Sequence, residues 1–317
     1  MLNKCNLSTL FFILFYTLCF SQNALKQKEF IAIFNEDSLL QNIRTLSSDA
    51  FEGRRTGTKG ADKAKEYIIN QFHMYNVLPL NTTYEQRFSF FTKRKNYNGI
   101  NILGLIKGTD NPERYIVISA HYDHEGIKNG QIYNGADDDA SGIGALISFA
   151  EYFKNNPPKH SVVLAAFDAE ELGLEGSKYF VNNSIVSLNK IMLNLNMDMI
   201  SRSETNTLFA VGTRFNETLK QVITNFDQPE QVKMLVGHDG EDGLEDWVYS
   251  SDHASFHKKG VPFLYFGVDD HEDYHTPNDD YENIQPEFYK ESVKLIMAVF
   301  NKIDTLNFFN LILEIYL

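Results

Sequence analysis

Apolar residues recur in two rhythms along this chain. Ala64, Tyr67, Ile68 and Phe72 share one face of a 3.6-residue turn, which predicts a helix. The continuous β-branched run "YIVISAH" (115–121) predicts a strand buried on both faces of a parallel sheet. The two rhythms then alternate. Ile143, Leu146, Ile147, Ala150 and Phe153 mark a helix, "SVVLAAF" (161–167) and "IMLNLNMD" (191–198) two strands, and "VPFLYF" (261–266) another. Val293, Ile296, Val299, Phe300 and Ile303 mark a late helix. Strands separated by helices predict an α/β sandwich around a largely parallel sheet. From about Asp37 onward there is no repeat, low-complexity linker or long Pro or Gly tract, so one domain is expected over residues 23–317.

The first residues break the pattern. Lys4 precedes an uncharged apolar core from Leu10 to Phe20, followed by Ser21 and Gln22, the layout of a secretory signal peptide over residues 1–22. The apolar run is shorter than the ~20 residues of a membrane-spanning helix, so no stable span is expected after cleavage and the mature protein is expected outside the cytoplasm, secreted or periplasmic. Cys5 and Cys19 both lie in this leader and are the only cysteines. The mature chain would therefore carry neither a disulfide nor a cysteine metal site. The tail "NFFNLILEIYL" (307–317) is apolar for a chain end, and docking as a final helix or strand is expected.

The 317 residues, 43% hydrophobic and 22% charged, are enough for a sizeable core. A formal charge of −13 disfavours a nucleic-acid partner, whose phosphates need clustered Lys and Arg, and favours a cationic ligand or metal. "GRRTGTKG" (53–60) lacks the Gly-Lys-Ser/Thr ending of a Walker-type nucleotide loop.

In open α/β sheets, ligands bind beyond the carboxyl ends of the strands. Here those ends carry His121 and Asp123, then Glu170 and Glu171, then Asp198. Each has an ordinary reading as well. A His near a carboxylate is often a surface hydrogen bond, with His124 and Glu125 adding ambiguity, and paired glutamates often begin a helix. Asp198 differs, because an unpaired carboxylate within an apolar run is costly to bury. His275 in "DYHTPND" (273–279) and the segment "SDHAS" (251–255) read alone as loop and helix start. The triplet Asp137, Asp138 and Asp139 in "NGADDDASG" (134–142) reads alone as a solvated helix start.

Taken in order, "LSSDAFEGRRTGTKGADKAKEYIINQF", "GINILGLIKGT", "VISAHYDH", "NGADDDASG", "FDAEELGLEGS", "LNMDMISR", "SDHASF" and "DYHTPND" resemble the secreted co-catalytic di-zinc aminopeptidases of metallopeptidase family 28, from about residue 43 to 300. The resemblance implies a three-layer zinc-peptidase fold with a mixed, largely parallel central sheet flanked by helices, and a cofactor of two Zn2+ ions. It implies that His121 and Asp198 hold one zinc, Glu171 and His275 the other, and that Asp137 bridges them. Asp123 becomes the partner of His121, Asp138 the partner in a cis peptide after the bridging aspartate, and Ser251 part of a substrate-facing segment. Three carboxylates and a bridging hydroxide then balance two divalent ions. The cysteine-free mature chain lacks the disulfide of well-known relatives near "SDHAS". The stretch between the Ala61 helix and "YIVISAH" is too short for the protease-associated domain inserted in some others.

The implied reaction is hydrolysis at the free N-terminus of peptide substrates by the bridging hydroxide, with Glu170 as general base. Three alternatives share the fold. A glutaminyl-cyclase-like acyl transferase commonly has Trp before its late histidine, where Tyr274 stands here. A carboxypeptidase needs a cation for the substrate carboxylate, for which Arg202 is the candidate. A non-catalytic binding protein would be expected to have lost ligands.

Overall fold

The computed structural model describes residues 34–226 and 228–306; the predicted leader with both cysteines and the apolar tail lie outside the described residues. In chain order the elements are α1 (Glu36–Leu46), α2 (Lys59–Met74), β1 (Leu78–Pro79), β2 (Glu85–Thr92), β3 (Lys95–Ile106), β4 (Asn111–His121), β5 (Gly126–Lys128) and β6 (Gln131–Tyr133). There follow α3 (Gly142–Asn155), β7 (His160–Phe167), α4 (Glu175–Asn182), β8 (Ile191–Met197), β9 (Thr207–Val211), α5 (Glu217–Thr224), β10 (Lys233–Val236), α6 (His253–His257), β11 (Phe263–Gly267) and α7 (Pro286–Ile303).

Among the described residues nine strands form one mixed sheet in the order β1-β3-β7-β4-β8-β11-β9-β10, with β2 paired to β3. Its centre, β7, β4, β8 and β11, is parallel throughout. The antiparallel pairs are β3 on β7 and β9 on β11, together with the short β1 and the hairpin strand β2. Period-2 alternation divides each apolar run between two cores. Ile116, Ile118, Val162, Leu164 and Ala166 face the larger core, built with α1, α2, α3, α5 and α7. Val117, Val163, Ala165 and Phe167 face a second core with Phe180 of α4 and Phe256 of α6. Helices therefore cover both faces, giving the expected three layers. Among the described residues no helix is long and apolar enough to cross a membrane.

Local chemistry sets the element ends. Asn35 and Thr58 accept hydrogen bonds from Ser38 N–H and Ala61 N–H and so cap α1 and α2. Pro286 opens α7, where a missing N–H costs nothing. The small β5–β6 hairpin turns at Asn129-Gly130, both at positive φ as a two-residue type I′ turn requires.

The end of α7 is tied to the start of β7 through Asp304, whose carboxylate accepts from Lys159 N–H (2.7 Å), His160 N–H (3.0 Å) and the His160 ring (2.9 Å). Burial pushes this carboxyl up, but the His160 ring and the two backbone donors outweigh it and leave its pKa below the ordinary value. A depressed folded pKa stabilises the fold above the unfolded value of about 3.9 and loses that contribution as pH falls through the folded pKa. Asp304→Asn should cost roughly 1–3 kcal/mol at neutral pH. Urea unfolding should show this deficit shrinking toward about pH 3; a deficit that does not vary with pH would contradict the assignment.

Candidate metal centre

The parallel strands β4, β7, β8 and β11 deliver their carboxyl ends to one edge. His121 is the last residue of β4, Glu170 and Glu171 follow β7, Asp198 follows β8, and His275 lies in the loop after β11. Three non-glycine residues at this edge, Ala169 (φ 61°), Met199 (φ 59°) and His275 (φ 53°), adopt the left-handed region. Each such residue costs on the order of 1–3 kcal/mol, and such strain gathers where a site dictates the backbone.

One carboxylate joins the cluster. Asp138 Oδ1 lies 3.1 Å from His121 Nε2, which is also 3.4 Å from Asp198 Oδ1. Asp138 Oδ2 lies 3.0 Å from His275 Nε2, which is 3.3 Å from Glu171 Oε2. His121, Asp198, Glu171 and His275 thus gather where the resemblance puts them, around Asp138.

Asp137, expected as the bridge, points elsewhere. Its Oδ1 accepts from Ser201 N–H and Oγ–H, both at 2.7 Å, and its Oδ2 lies 3.2 Å from His271 Nε2. Asp138 is therefore the central carboxylate, and the cis peptide joins Asp138 to Asp139, one residue later than expected. The physical reason lies in the backbone around the triplet. Asp279 accepts from the N–H groups of Asp137 (2.8 Å) and Asp138 (3.0 Å), which fixes how the segment presents its side chains. Asp139, fully buried, accepts from Gly142 N–H (2.9 Å) and His121 N–H (3.1 Å), anchoring the start of α3 to the end of β4. With Asp138 in place of Asp137, Asp138, Glu171 and Asp198 still gather as three carboxylates around the histidines.

The supporting shell also differs in detail. His121 Nδ1 sits 3.0 Å from the backbone carbonyl of Asp123 and 3.8 Å from its carboxylate, so the carbonyl orients the ring and turns Nε2 toward Asp138 and Asp198. The Asp123 carboxylate instead accepts from Glu170 N–H (3.0 Å) and Thr56 Oγ–H (3.2 Å). Ser251, expected in a substrate-facing segment, is fully buried and its hydroxyl accepts from Asn196 of β8 at 2.9 Å, while Ser250 lines the pocket.

Sequence reasoning passed over two contributors. His124 Nδ1 lies 2.8 Å from Glu171 Oε1 and 3.6 Å from Asp138 Oδ2. Arg54, in the segment weighed as a nucleotide loop, is buried and donates to the carbonyls of Leu46 (2.7 Å), Tyr122 (2.9 Å), Asn134 (2.5 Å) and Gly135 (2.8 Å). It holds the loop after β4 against the loop before Asp137.

Electrostatics follow from crowded, buried carboxylates. Burial, then the neighbouring Asp198, Glu171 and Asp252, push Glu170 well above the ordinary glutamate value against the pull of His121. Burial lowers His275, but contacts with Asp138 and Glu171 outweigh it and raise the ring to about 10. The carboxylates of Asp138, Asp198 and Glu171 thus favour any positive charge placed among them.

The donors suit a borderline metal. Imidazole nitrogens and carboxylate oxygens are zinc ligands, and within His121/Asp138/Asp198 and within His124/Asp138/Glu171 the ligand atoms lie inside 4.8 Å of one another. Both ring nitrogens of His124 and Oε1 of Glu171 are buried without a hydrogen bond, and a cation coordinated by Nδ1 and Oε1 would partner two of these three atoms.

Known proteins resemble this chain in sequence and in fold. Aminopeptidase YwaD of Bacillus subtilis (strain 168) is 30% identical over 217 residues, 64% of this chain and 44% of that protein. A probable glutamate carboxypeptidase, VP8 of Zea mays, is 29% identical over 211 residues, 61% of this chain and 28% of that protein. The match spans less than half the length of these curated relatives. Among solved structures, the zinc aminopeptidase BSAP from Bacillus subtilis superposes with a TM-score of 0.68 at 17% identity, covering 88% of this chain and 98% of the other. Porphyromonas gingivalis glutaminyl cyclase gives the same TM-score, 0.68, at 17% identity over 85% of this chain and 99% of the other. At such identities the likeness is one of fold. The family model for peptidase family M28 matches residues 101–300, well over half of the sequence, and the chain belongs to that family.

Proposed function

We propose that this chain is an exported, zinc-dependent aminopeptidase that removes N-terminal residues from peptides, with two ions held around Asp138. One observation carries the choice of substrate end. Beyond Asp138 and Asp198, whose charge bound ions would neutralise, the pocket is lined by the carboxylates of Glu170, Glu245 and Asp270, and among the described residues its lining contains no Lys or Arg. Such a surface attracts a peptide's ammonium terminus and repels its carboxylate terminus. Arg202, the candidate carboxylate partner, is instead committed to Asp273, lies 3.7 Å from Glu272, and does not line the pocket.

Bound divalent ions would acidify water toward neutrality and polarise the scissile carbonyl. The chain's own residues do the rest. Glu170 accepts a proton from the attacking water as its oxygen bonds to the carbonyl carbon, then delivers that proton to the amine nitrogen as the carbon–nitrogen bond breaks. Asp123 steadies Glu170 through its backbone N–H. Trp247, Tyr265 and Val268 give the first substrate side chain an apolar wall. Residues 1–22 would direct export and leave one catalytic domain.

A free-amine peptide library with mass-spectrometric product identification tests the reading. Residues should be lost stepwise from the N-terminus, and N-acetylated peptides should resist. Chelation should abolish turnover and added zinc should restore it. Pyroglutamyl products from N-terminal Gln would instead favour the cyclase reading. Release from the C-terminus would favour a carboxypeptidase, and no turnover by metal-loaded protein a binding role.

A further inference from the structure

The resemblance implies one histidine for each ion, His121 and His275, yet a third histidine points into the centre. His124 is fully buried, and neither of its ring nitrogens has a hydrogen-bond partner. Its Nδ1 lies 2.8 Å from Glu171 Oε1 in a geometry that makes no hydrogen bond, and 3.6 Å from Asp138 Oδ2. Burying an imidazole with both nitrogens unsatisfied is unfavourable, and so is burying an unpartnered carboxylate oxygen beside it. A cation bound at Nδ1 partners that nitrogen and the carboxylate oxygen together.

The backbone holds the ring in this position. Arg54 clamps the carbonyl of Tyr122, two residues before it. On one side Gly135, at φ 56°, approaches so closely that a Cβ there would lie 2.5 Å from His124 Cγ. On another the His275 ring sits with its centroid 5.8 Å away. Nearby Glu125 is already committed, its carboxylate 3.0 Å from Arg55 and 2.5 Å from Lys128, and is not counted as a donor.

We propose that His124 is a metal ligand on the Glu171/His275 side of the centre. That side then offers four protein donors: His124 Nδ1, Asp138 Oδ2, a Glu171 oxygen and His275 Nε2. The His121 side offers three: His121 Nε2, Asp138 Oδ1 and Asp198. Four protein donors close a tetrahedral zinc site, whereas three leave a position for water or substrate. The centre is therefore asymmetric: the His124 side binds its ion more tightly, and the His121 side is where substrate exchanges with water.

The inference rests on the metal reading above, and its test separates the two. Zinc X-ray absorption on wild-type protein loaded with two equivalents should count three imidazoles shared between the two ions, and needs no variant. Chelator competition on His124→Asn should show one of the two ions weakened by more than about 100-fold, beyond the 10–100-fold of an outer-shell change, with the other ion unaltered. If His124→Asn fails to fold as the metal-free protein, His124→Gln serves in the same assay. Two imidazoles shared by two ions, or unchanged affinities in a folded variant, would overturn the role of His124 alone. Wild-type protein that binds no divalent ion would overturn the metal reading with it.

Discussion

Asparagine in place of Asp138 should strip metal from both sides of the centre, whereas Asp137→Asn should leave both ions bound. The two residues are adjacent and chemically identical, so the contrast isolates geometry. Asp138 has one oxygen within 3.1 Å of His121 and the other within 3.0 Å of His275. Asparagine keeps one neutral oxygen and turns the other into a non-ligating amide, so one ion loses a donor and both lose the shared negative charge, and affinity at both should fall by more than about 100-fold, past the range of outer-shell substitutions. Asp137 meets Ser201 and His271, and an amide oxygen can still accept from the Ser201 N–H and hydroxyl. Metal analysis after dialysis reads the difference directly. Retention by Asp138→Asn together with loss by Asp137→Asn would restore Asp137 as the bridge.

Glu170→Gln should keep both ions and the fold while losing roughly 10²–10⁴-fold in kcat, the usual worth of a general base. The amide keeps the size of the side chain but cannot take the proton from water. Its backbone N–H still donates to Asp123, so loop geometry should persist. Glu171→Gln should do the reverse and release metal first, since Glu171 contacts both His124 and His275. Near wild-type turnover by metal-loaded Glu170→Gln would mean that another group accepts the proton.

The contrast between these neighbours also shows what a sequence makes legible. β4, β7 and β8 could be read directly because strands buried on both faces need unbroken apolar runs, and their carboxyl ends then announced His121, Glu170, Glu171 and Asp198. The β2–β3 hairpin was harder to read. Its signal is the alternation Arg87, Phe88, Ser89, Phe90, and its two-residue turn places Lys93 (φ 47°) and Arg94 (φ 61°) where Asn-Gly would normally mark the bend. Within "DDD", spacing alone cannot say which carboxylate faces inward, because the answer depends on Asp279, which grips two of the three N–H groups from 142 and 141 residues away. His124 looked like noise beside Asp123; only the turn after β4 reveals that a residue three past the strand end returns to the same edge. Asp279 and Ser201 had a faint signal, lying within the quoted motifs "DYHTPND" and "LNMDMISR" without an assigned task.

The grip of Arg54 has a consequence for how this site can diversify. Its guanidinium holds the chain at Tyr122 and again at Asn134 and Gly135, so both ends of the excursion that forms β5 and β6 are pinned independently of what lies between. The hairpin is a pendant module on a clamped base. Its tip at Asn129-Gly130 can lengthen, shorten or change composition over evolutionary time without moving His121 or Asp138. Change at this tip is thereby uncoupled from the residues that gather around Asp138.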